Sequence, residues 1–431
     1  MEVIIAVFIL VACLLLGVAV PFSFLASVVF LIVTRGYDPS FLLPYGYAQM
    51  NSIVIMAVPL FILAGNIMNE GKIGDKLINF VNLFAGRLKG GLGVVTCVSC
   101  AVFGSITGSA FATLSCIGSL MAPRLKAGGY PVGYAGALLA SSCLLGLLIP
   151  PSPIMILYAF VGRQSVLACF LAIIAPGLLL MILLSVVNVV YVRSKNILVE
   201  EKIPWREMPR NIAVTGGKAI PAFFFPFIIL GGVYGGFMTP TEAAAVGAIY
   251  AIPLGFFIYK GLNAKSFYNA VIKSAVTSGT CMVMLFTVML FSRIYITENV
   301  PARVMELLMD VSTNPLVVIL MLNLFMVIVG MIMDDVSAVM LCTAVLMPLV
   351  NQMGFNPIHF AAIVAVNLGM GCVTPPTAPC IFIAGRITGA RVDQMVKPTL
   401  IFILFAWLPT LFITTYFPRF SLFLPNLWMR R

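Results

Sequence analysis

Gly330 to Pro379 reads G-M-I-M-D-D-V-S-A-V-M-L, then a long apolar run, then N-L-G-M-G-C-V-T-P-P-T-A-P. Two adjacent carboxylates, Asp334 and Asp335, stand in otherwise apolar sequence, and about forty residues later Pro375 and Pro376 interrupt a hydrophobic helix. Shifted by 225 positions, the stretch meets a partner: Pro123 falls on Pro348, Gly129 on Gly354, Gly146 on Gly371, Pro150 and Pro151 on Pro375 and Pro376, and Ser152 on Thr377. The aspartates fall on Ser109 and Ala110, inside G-S-I-T-G-S-A. Agreement at one offset, much of it in Pro and Gly, points to an internal duplication. Each copy has a polar turn of small residues followed by a proline-broken helix. The two copies read as the halves of one binding site.

Composition sets the solvent. Of 431 residues, 61% are hydrophobic and 9% are charged, more apolar surface than a water-soluble chain can cover. Several runs of 18 or more apolar residues predict an all-α polytopic protein of the lipid bilayer. The runs are continuous rather than alternating, which disfavours a transmembrane barrel. The net charge of +11 sits in short connectors between spans, so it reads as the positive-inside pattern and not as a nucleic-acid surface. No basic region precedes the first apolar run, so no signal peptide is expected.

Enzyme chemistry finds little support. The ten cysteines fall in predicted spans, and Cys97-x-x-Cys100 has no second pair, so both read as small packing residues. His359 is the only histidine and is placed near a helix start after Pro357. Gly71-Lys72 and Gly217-Lys218 lack the remaining residues of a phosphate loop, so the chain is not expected to hydrolyse ATP. An intramembrane enzyme would need a nucleophile–base pair that the sequence does not offer. A channel for ions or uncharged solutes fits duplicated broken helices less well than a closed site does, and substrate counterflow would separate the two.

Taken in order, residues 3–33 exceed one span and read as two short helices meeting near Pro21. A connector with Arg35 and Asp38 leads to a span at Asn51 to Met68, and Asn69 to Lys89 reads as interfacial amphipathic helix. The first repeat is expected over 1–192, with a re-entrant hairpin at 90–127 and the broken helix at 131–161. Residues 193–218 are the cytoplasmic linker. The second repeat, 219–431, has its hairpin at 315–353 and its broken helix at 357–384. Each half holds five spans plus a hairpin, so the second copy enters the membrane inverted. With the N-terminus outside, the inner connectors hold 18 of the 25 lysines and arginines. Arg35, Arg163, Arg293, Arg303, Arg419, Arg430 and Arg431 lie outside, the last two against the trend.

Inverted repeats with discontinuous helices at mid-depth mark secondary transporters. A proline frees carbonyls in the turn before it, and small hydroxyls beside such a break are hard oxygen ligands for dehydrated Na⁺. Half-helix N-termini present positive dipole ends to an anionic solute. Two Na⁺ sites at least are expected, each pairing a hairpin tip with the broken helix of its own repeat. The candidate ligands are Ser105, Thr107, Ser109 and Ser152 on the first side. On the second they are Asp334, Asp335, Thr374 and Thr377. Gly108, Pro150, Pro151, Ser337, Pro375 and Pro376 are the candidate contacts to the solute. Either aspartate can cap the second hairpin arm while the other points elsewhere.

G-G-F-M-T-P-T-E-A-A-A at Gly235 to Ala245 resembles the signature of the large membrane subunit of tripartite ATP-independent periplasmic (TRAP) transporters. So do V-P-L-F-I-L-A-G at Val58 to Gly65, F-G-S-I-T-G-S-A at Phe103 to Ala110, and the two proline breaks. The resemblance covers essentially the whole chain. It implies a Na⁺-coupled importer of the bacterial inner membrane, in which a transport domain moves against a scaffold as an elevator. It also implies a small four-helix membrane subunit, expected as a separate chain, and a soluble periplasmic substrate-binding protein. The solutes of such systems are small organic anions, among them C4-dicarboxylates, sialic acids and sulfonates. The family's Na⁺-binding turns map onto Ser105, Thr107, Ser109 and Asp334, and its broken-helix residues onto Ser152 and Thr377; Thr107 stands where serine is also common. Glu242, within the signature, reads as a helix cap after Thr239-Pro240.

Overall fold

The computed structural model describes residues 2–86, 89–193, 195, 197, 208–312 and 314–429. Among these, every regular element is helical. The chain opens with α1 (Glu2–Leu15), α2 (Val20–Arg35), α3 (Pro39–Met50), α4 (Ile53–Glu70) and α5 (Gly74–Ala85). A helical hairpin follows, α6 (Gly91–Thr107) and α7 (Ala110–Ala127). The first broken helix comprises α8 (Val132–Ser142), α9 (Leu145–Leu148) and α10 (Pro153–Val161), and α11 (Val166–Val192) closes this half. The second half begins with α12 (Met208–Tyr234), α13 (Pro240–Pro253), α14 (Ala264–Thr297) and α15 (Val300–Val311). Its hairpin is α16 (Pro315–Ile332) and α17 (Asp335–Gln352), and its broken helix is α18 (Pro357–Val373) and α19 (Pro379–Thr388). The chain ends in α20 (Val392–Phe402), α21 (Leu408–Tyr416) and α22 (Pro418–Met429). Among the described residues, eight helices are long and apolar enough to cross a membrane, or nine with the bent pair at Pro150-Pro151 taken as one span.

Local chemistry sets the helix ends. Pro21 stands in the first turn of α2, where its missing N–H is harmless, so the break in 3–33 falls just before it. Thr239 and Glu242 cap α13 reciprocally: Glu242 N–H donates to Thr239 Oγ1 (3.3 Å) and Thr239 N–H to Glu242 Oε2 (2.7 Å). His359 lies in the first turn of α18, its Nε2 2.7 Å from the Thr414 carbonyl. The connector expected after Arg35 contains α3, and two further helices, α15 ahead of the second hairpin and α22 at the end of the described residues, have no counterpart among the elements named from the sequence. Residues 194, 196 and 198–207 of the expected linker lie outside the described residues; its end belongs to α12. With 34 residues, α14 is the longest described helix. At 1.5 Å per residue it reaches roughly 51 Å, well beyond a hydrocarbon core of about 30 Å.

The helices form two packed groups. In one, α4 lies against α13 and α14, and α14 against α2 and α3. Arg35 pairs with Glu2 and with Glu298 (3.2 Å), and Tyr37 donates to Glu298 (2.6 Å), so α1, α2 and α14 are tied at one end. The other group holds both hairpins, both broken helices and α11. Its contacts reach backbone-to-backbone distance. A Cβ on Gly104 would overlap the backbone of Gly146, and one on Gly371 would lie 2.7 Å from Gly330 Cα. Each hairpin thus seats a glycine of its first arm on a glycine of the broken helix that follows it. Asn367 donates to Asn323 (2.9 Å) and Asn323 to Thr415 (3.0 Å), joining α18, α16 and α21.

The offset of 225 recurs in the element ends. Thr107 and Ile332 end the first hairpin arms, and Ala110 and Asp335 begin the second. Val132 and Pro357 begin the broken helices, and Leu148 and Val373 end the last segment before each proline break. The bonds Pro150–Pro151 and Pro375–Pro376 are both cis.

Gly104→Ala forces a methyl into the backbone of Gly146, and overpacking of this kind costs about 1–3 kcal/mol. Gly217→Ala adds its methyl to open space on α12, where helix propensity favours it by about 0.5–1 kcal/mol. Thermal unfolding in detergent is expected to show a lowered midpoint for the first variant and an unchanged or raised one for the second.

Candidate functional site

A cavity of about 590 Å³ opens where both hairpin tips meet α4, α10 and α14. The first tip contributes Thr107, Gly108 and Ser109, and the second contributes Asp334, Asp335, Val336 and Ser337. Pro153, Ile154 and Leu157 of α10, Gly65, Asn66 and Asn69 of α4, and Lys273, Thr277 and Thr280 of α14 complete the wall.

The first tip turns at Gly108, whose φ of +60° lies in the left-handed region and whose N–H donates to the Gly104 carbonyl (2.7 Å). A side chain there would run into Pro153 and approach the Pro151 carbonyl at 3.1 Å, so tip and break form one packed unit. Ser109 Oγ accepts from Ala112 N–H (3.4 Å) and caps α7. Thr107 Oγ1 lies 3.1 Å from Thr113 Oγ1, and Ser105 Oγ donates to the Val102 carbonyl (2.7 Å). Ser152 is fully buried, and its Oγ has no hydrogen-bond partner among the described residues. A buried hydroxyl without a partner leaves desolvation uncompensated. Ser152 is therefore the clearest free oxygen beside the first tip.

The second tip is charged. Asp334 Oδ2 accepts from Val336 and Ser337 N–H, both at 3.2 Å, and caps α17. Asp335 is 7% exposed, and its Oδ1 accepts from Val336 N–H (3.0 Å). Both carboxylates thus sit at the positive end of α17. Capping falls to Asp334, which also faces open space, whereas Asp335 points inward.

The two breaks differ in setting. Pro150, Pro151 and Ser152 are buried, whereas Pro376 and Thr377 are exposed and Pro375 is half-buried. Thr374 Oγ1 donates to the Met370 carbonyl (2.6 Å). The cavity therefore gathers Thr107, Gly108, Ser109, Asp334, Asp335 and Ser337, while Ser105, Ser152, Thr374, Thr377 and the four break prolines stand outside its wall. Lys273 is a wall residue that sequence reasoning counted only as a connector charge. It pairs with Glu70 of α4 (2.7 Å), next to a hydrogen bond from Asn66 to Ser274 (2.9 Å). The available signal was its position well inside one continuous helix.

Comparison with known proteins identifies the lineage. The family described as "Tripartite ATP-independent periplasmic transporter, DctM component" matches residues 7–420. The chain belongs to the DctM family. It is 32% identical over 420 residues to the isethionate TRAP transporter permease protein DctMQ of Oleidesulfovibrio alaskensis, covering 95% of this chain and 64%, less than two thirds, of that relative. It is 31% identical over 375 residues to the C4-dicarboxylate TRAP transporter large permease protein DctM of Pseudomonas aeruginosa, covering 87% and 86%. Among solved structures, the YdaH transporter of Alcanivorax borkumensis has a similar fold, with a TM-score of 0.61 at 13% identity over 87% of this chain and 88% of that one. As a DctM protein the chain is the large membrane subunit of a TRAP transporter, and the family members are permeases, not enzymes.

The geometry separates two roles of Asp334. Asp334→Asn keeps an oxygen that can accept from Val336 and Ser337, whereas Asp334→Ala removes the cap at a cost of about 0.5–2 kcal/mol. Thermal unfolding in detergent is expected to leave the Asn variant near wild type and to lower the Ala variant.

Proposed function

We propose that this DctM subunit imports a small organic acid anion, a carboxylate or sulfonate, together with Na⁺. A soluble periplasmic binding protein delivers the solute, and a small four-helix membrane subunit completes the transporter in the bacterial inner membrane. The observation that carries the reading is the cavity. It brings a hydroxyl-bearing tip and a carboxylate-bearing tip together against Lys273, a cation on a different helix group.

The chemistry supports a division of labour. Na⁺ prefers hard oxygen donors, and the first side offers the unpartnered Ser152 Oγ, the Pro151 carbonyl close to Gly108, and the hydroxyls of Ser105, Thr107 and Ser109. The second side offers Asp334, Asp335, Thr374 and Thr377, so its ion also neutralises a buried carboxylate. The solute anion would lie between the tips, near Gly108, Ser337 and the helix N-termini behind them. Lys273, shared with Glu70, would offset part of its charge. Named relatives that take isethionate and C4-dicarboxylate support the anion class.

Charge asymmetry supports an inverted arrangement of the repeats, with the N-terminal ends of α4's partner α14 toward the cytoplasm, where Lys260, Lys265 and Lys273 cluster. The cavity then opens inward. Movement of the hairpin group against α4 and α14 would carry the site across the membrane, with the contacts of α10 on α4 and α17 on α14 as the surface that slides.

Uptake into vesicles holding both membrane subunits, with binding protein supplied, is expected in Na⁺ and not in choline. Losing one neutral ligand, as in Ser152→Ala, is expected to raise the half-maximal Na⁺ concentration about fivefold, the equivalent of roughly 1 kcal/mol. Asp334→Asn is expected to raise it further, since charge is lost as well. Equal uptake in choline would overturn the Na⁺ assignment.

A further inference from the structure

A second polar cavity, of about 350 Å³, lies further along the helices that wall the first. On α10 the first cavity takes Pro153, Ile154 and Leu157, and the second takes Phe160 and Val161 with Gly162 and Arg163 just past its end. On α14 the first reaches Met284, and the second takes Met289, Ser292, Arg293 and Ile296. On α17 the first takes Asp335 to Ser337, and the second takes Thr343 to Asn351. All three helices therefore run the same way from one cavity to the other. At 1.5 Å per residue, the step from Asp335 to Asn351 is roughly 24 Å. In the turns between, Val288 of α14 and Met340 of α17 are fully buried apolar side chains.

The second cavity is cationic. Arg163 and Arg293 line it with Tyr45, Gln49, Ser292 and Asn351. Among the described residues, neither guanidinium has a carboxylate within salt-bridge distance, in contrast to Arg35, Arg124 and Arg391. Arg293 lies over the Tyr45 ring at 5.3 Å, which fixes its plane at the cavity wall. Arg163 occupies a left-handed backbone position, φ +53°, just past the end of α10. Glycine is the favoured residue there, so arginine stands at a position that local backbone preference does not select. Two unpaired guanidiniums with amide and hydroxyl neighbours match a small carboxylate or sulfonate.

We propose that Arg163 and Arg293 form an outer receiving site for the solute anion, occupied before the anion reaches the hairpin tips. The proposal rests on the importer reading and its inside–outside orientation. On that orientation the C-terminal ends of α10, α14 and α17 face the periplasm. The receiving site then concentrates the anion delivered there above an apolar barrier, and Lys273 meets it below.

The test uses Ser292→Cys in a background with the native cysteines replaced, in vesicles with the small subunit. Its reaction with an anionic sulfonatoethyl thiosulfonate is compared with that of a cationic trimethylammonium analogue. The arginines are expected to favour the anionic reagent by about tenfold or more at low salt. The double change Arg163→Gln with Arg293→Gln should abolish that preference, and Arg163→Lys with Arg293→Lys should retain it. In the cysteine-containing protein, the Gln pair is expected to cut uptake about tenfold with half-maximal Na⁺ unchanged, and the Lys pair to recover most of it. No reagent preference in the parent, or unchanged uptake in the Gln pair, would overturn the receiving site. So would loss of uptake matched by weaker direct binding of the delivery protein, which would make the arginines a docking surface. Uptake by the wild type that ignores Na⁺ would instead strike the importer reading and leave the reagent preference standing.

Discussion

The fold depends on backbone meeting backbone. Lipid gives apolar helices no net reason to leave it for one another, so association in a membrane rests on close van der Waals approach and on satisfied polar groups. Gly104 on Gly146 and Gly330 on Gly371 supply that approach. They press each hairpin onto the broken helix that follows it, which buries the non-helical turn at the first tip inside protein. Irregular backbone at membrane depth is tolerated only in such a place or along a cavity. Gly65 extends the contact to the other helix group, where a Cβ would lie 2.8 Å from the Thr107 carbonyl. The tips are held by packing before any ligand arrives.

On this frame the two tips play the same structural part with different chemistry. Ser109 and Asp334, 225 positions apart, each cap the second arm of a hairpin through the side chain. The hydroxyl does so as a neutral acceptor. The carboxylate brings a charge that costs at least about 2.5–3.5 kcal/mol at the bilayer centre unless it is compensated. Two N–H groups of α17 meet part of that cost for Asp334, and Asp335 beside it shares only one of them. The second carboxylate, buried one residue away, is left short of compensation within the tip. On the proposed reading this shortfall makes the second repeat the more cation-dependent half.

Much of this was legible in the sequence because it is written in residues that act locally. Proline breaks a helix wherever it stands in mid-run, and a Gly/Ser turn between two apolar arms marks a hairpin. The paired breaks and tips therefore fell out of one offset. Helices α3 and α22 were not legible for the opposite reason: Pro44 and Pro425 stand inside them, and both are short and mixed in polarity. Nothing local separates such segments from connectors. The bond from Tyr37 to Glu298 and the pair of Lys273 with Glu70 join residues more than 200 positions apart, and no periodicity points to them. At the site, residue types were readable but positions were not. The sequence treats the two breaks as equivalents, yet Ser152 is buried while Thr377 is exposed. Burial at that level is set by what packs over the break. Gly177 of α11 comes within 2.8 Å, as a Cβ, of the Leu148 carbonyl beside the first break.

On the proposed reading, that difference between the breaks bears on how the site would face one side at a time. If the two tip-and-break units were equally covered, the cavity between them would be closed to both sides or open to both. Here the first unit is sealed by Gly108 on Pro153 and by α11, and the second leaves Pro376 and Thr377 open. The common cavity meets both tips but neither Pro-Pro pair. On the proposed reading, a shift of the hairpin group along α14 would exchange the neighbours of the tips without disturbing the glycine contacts within each unit, because Gly104–Gly146 and Gly330–Gly371 lie wholly inside that group. The pairs Lys273–Glu70 and Asn66–Ser274 lie wholly within the other group. Such a shift would have to break and reform the contacts of α10 with α4 and of α17 with α14, and the close approach of Gly65 to the Thr107 carbonyl. On that reading the glycine contacts keep each tip-and-break unit in shape while its neighbours across the interface change.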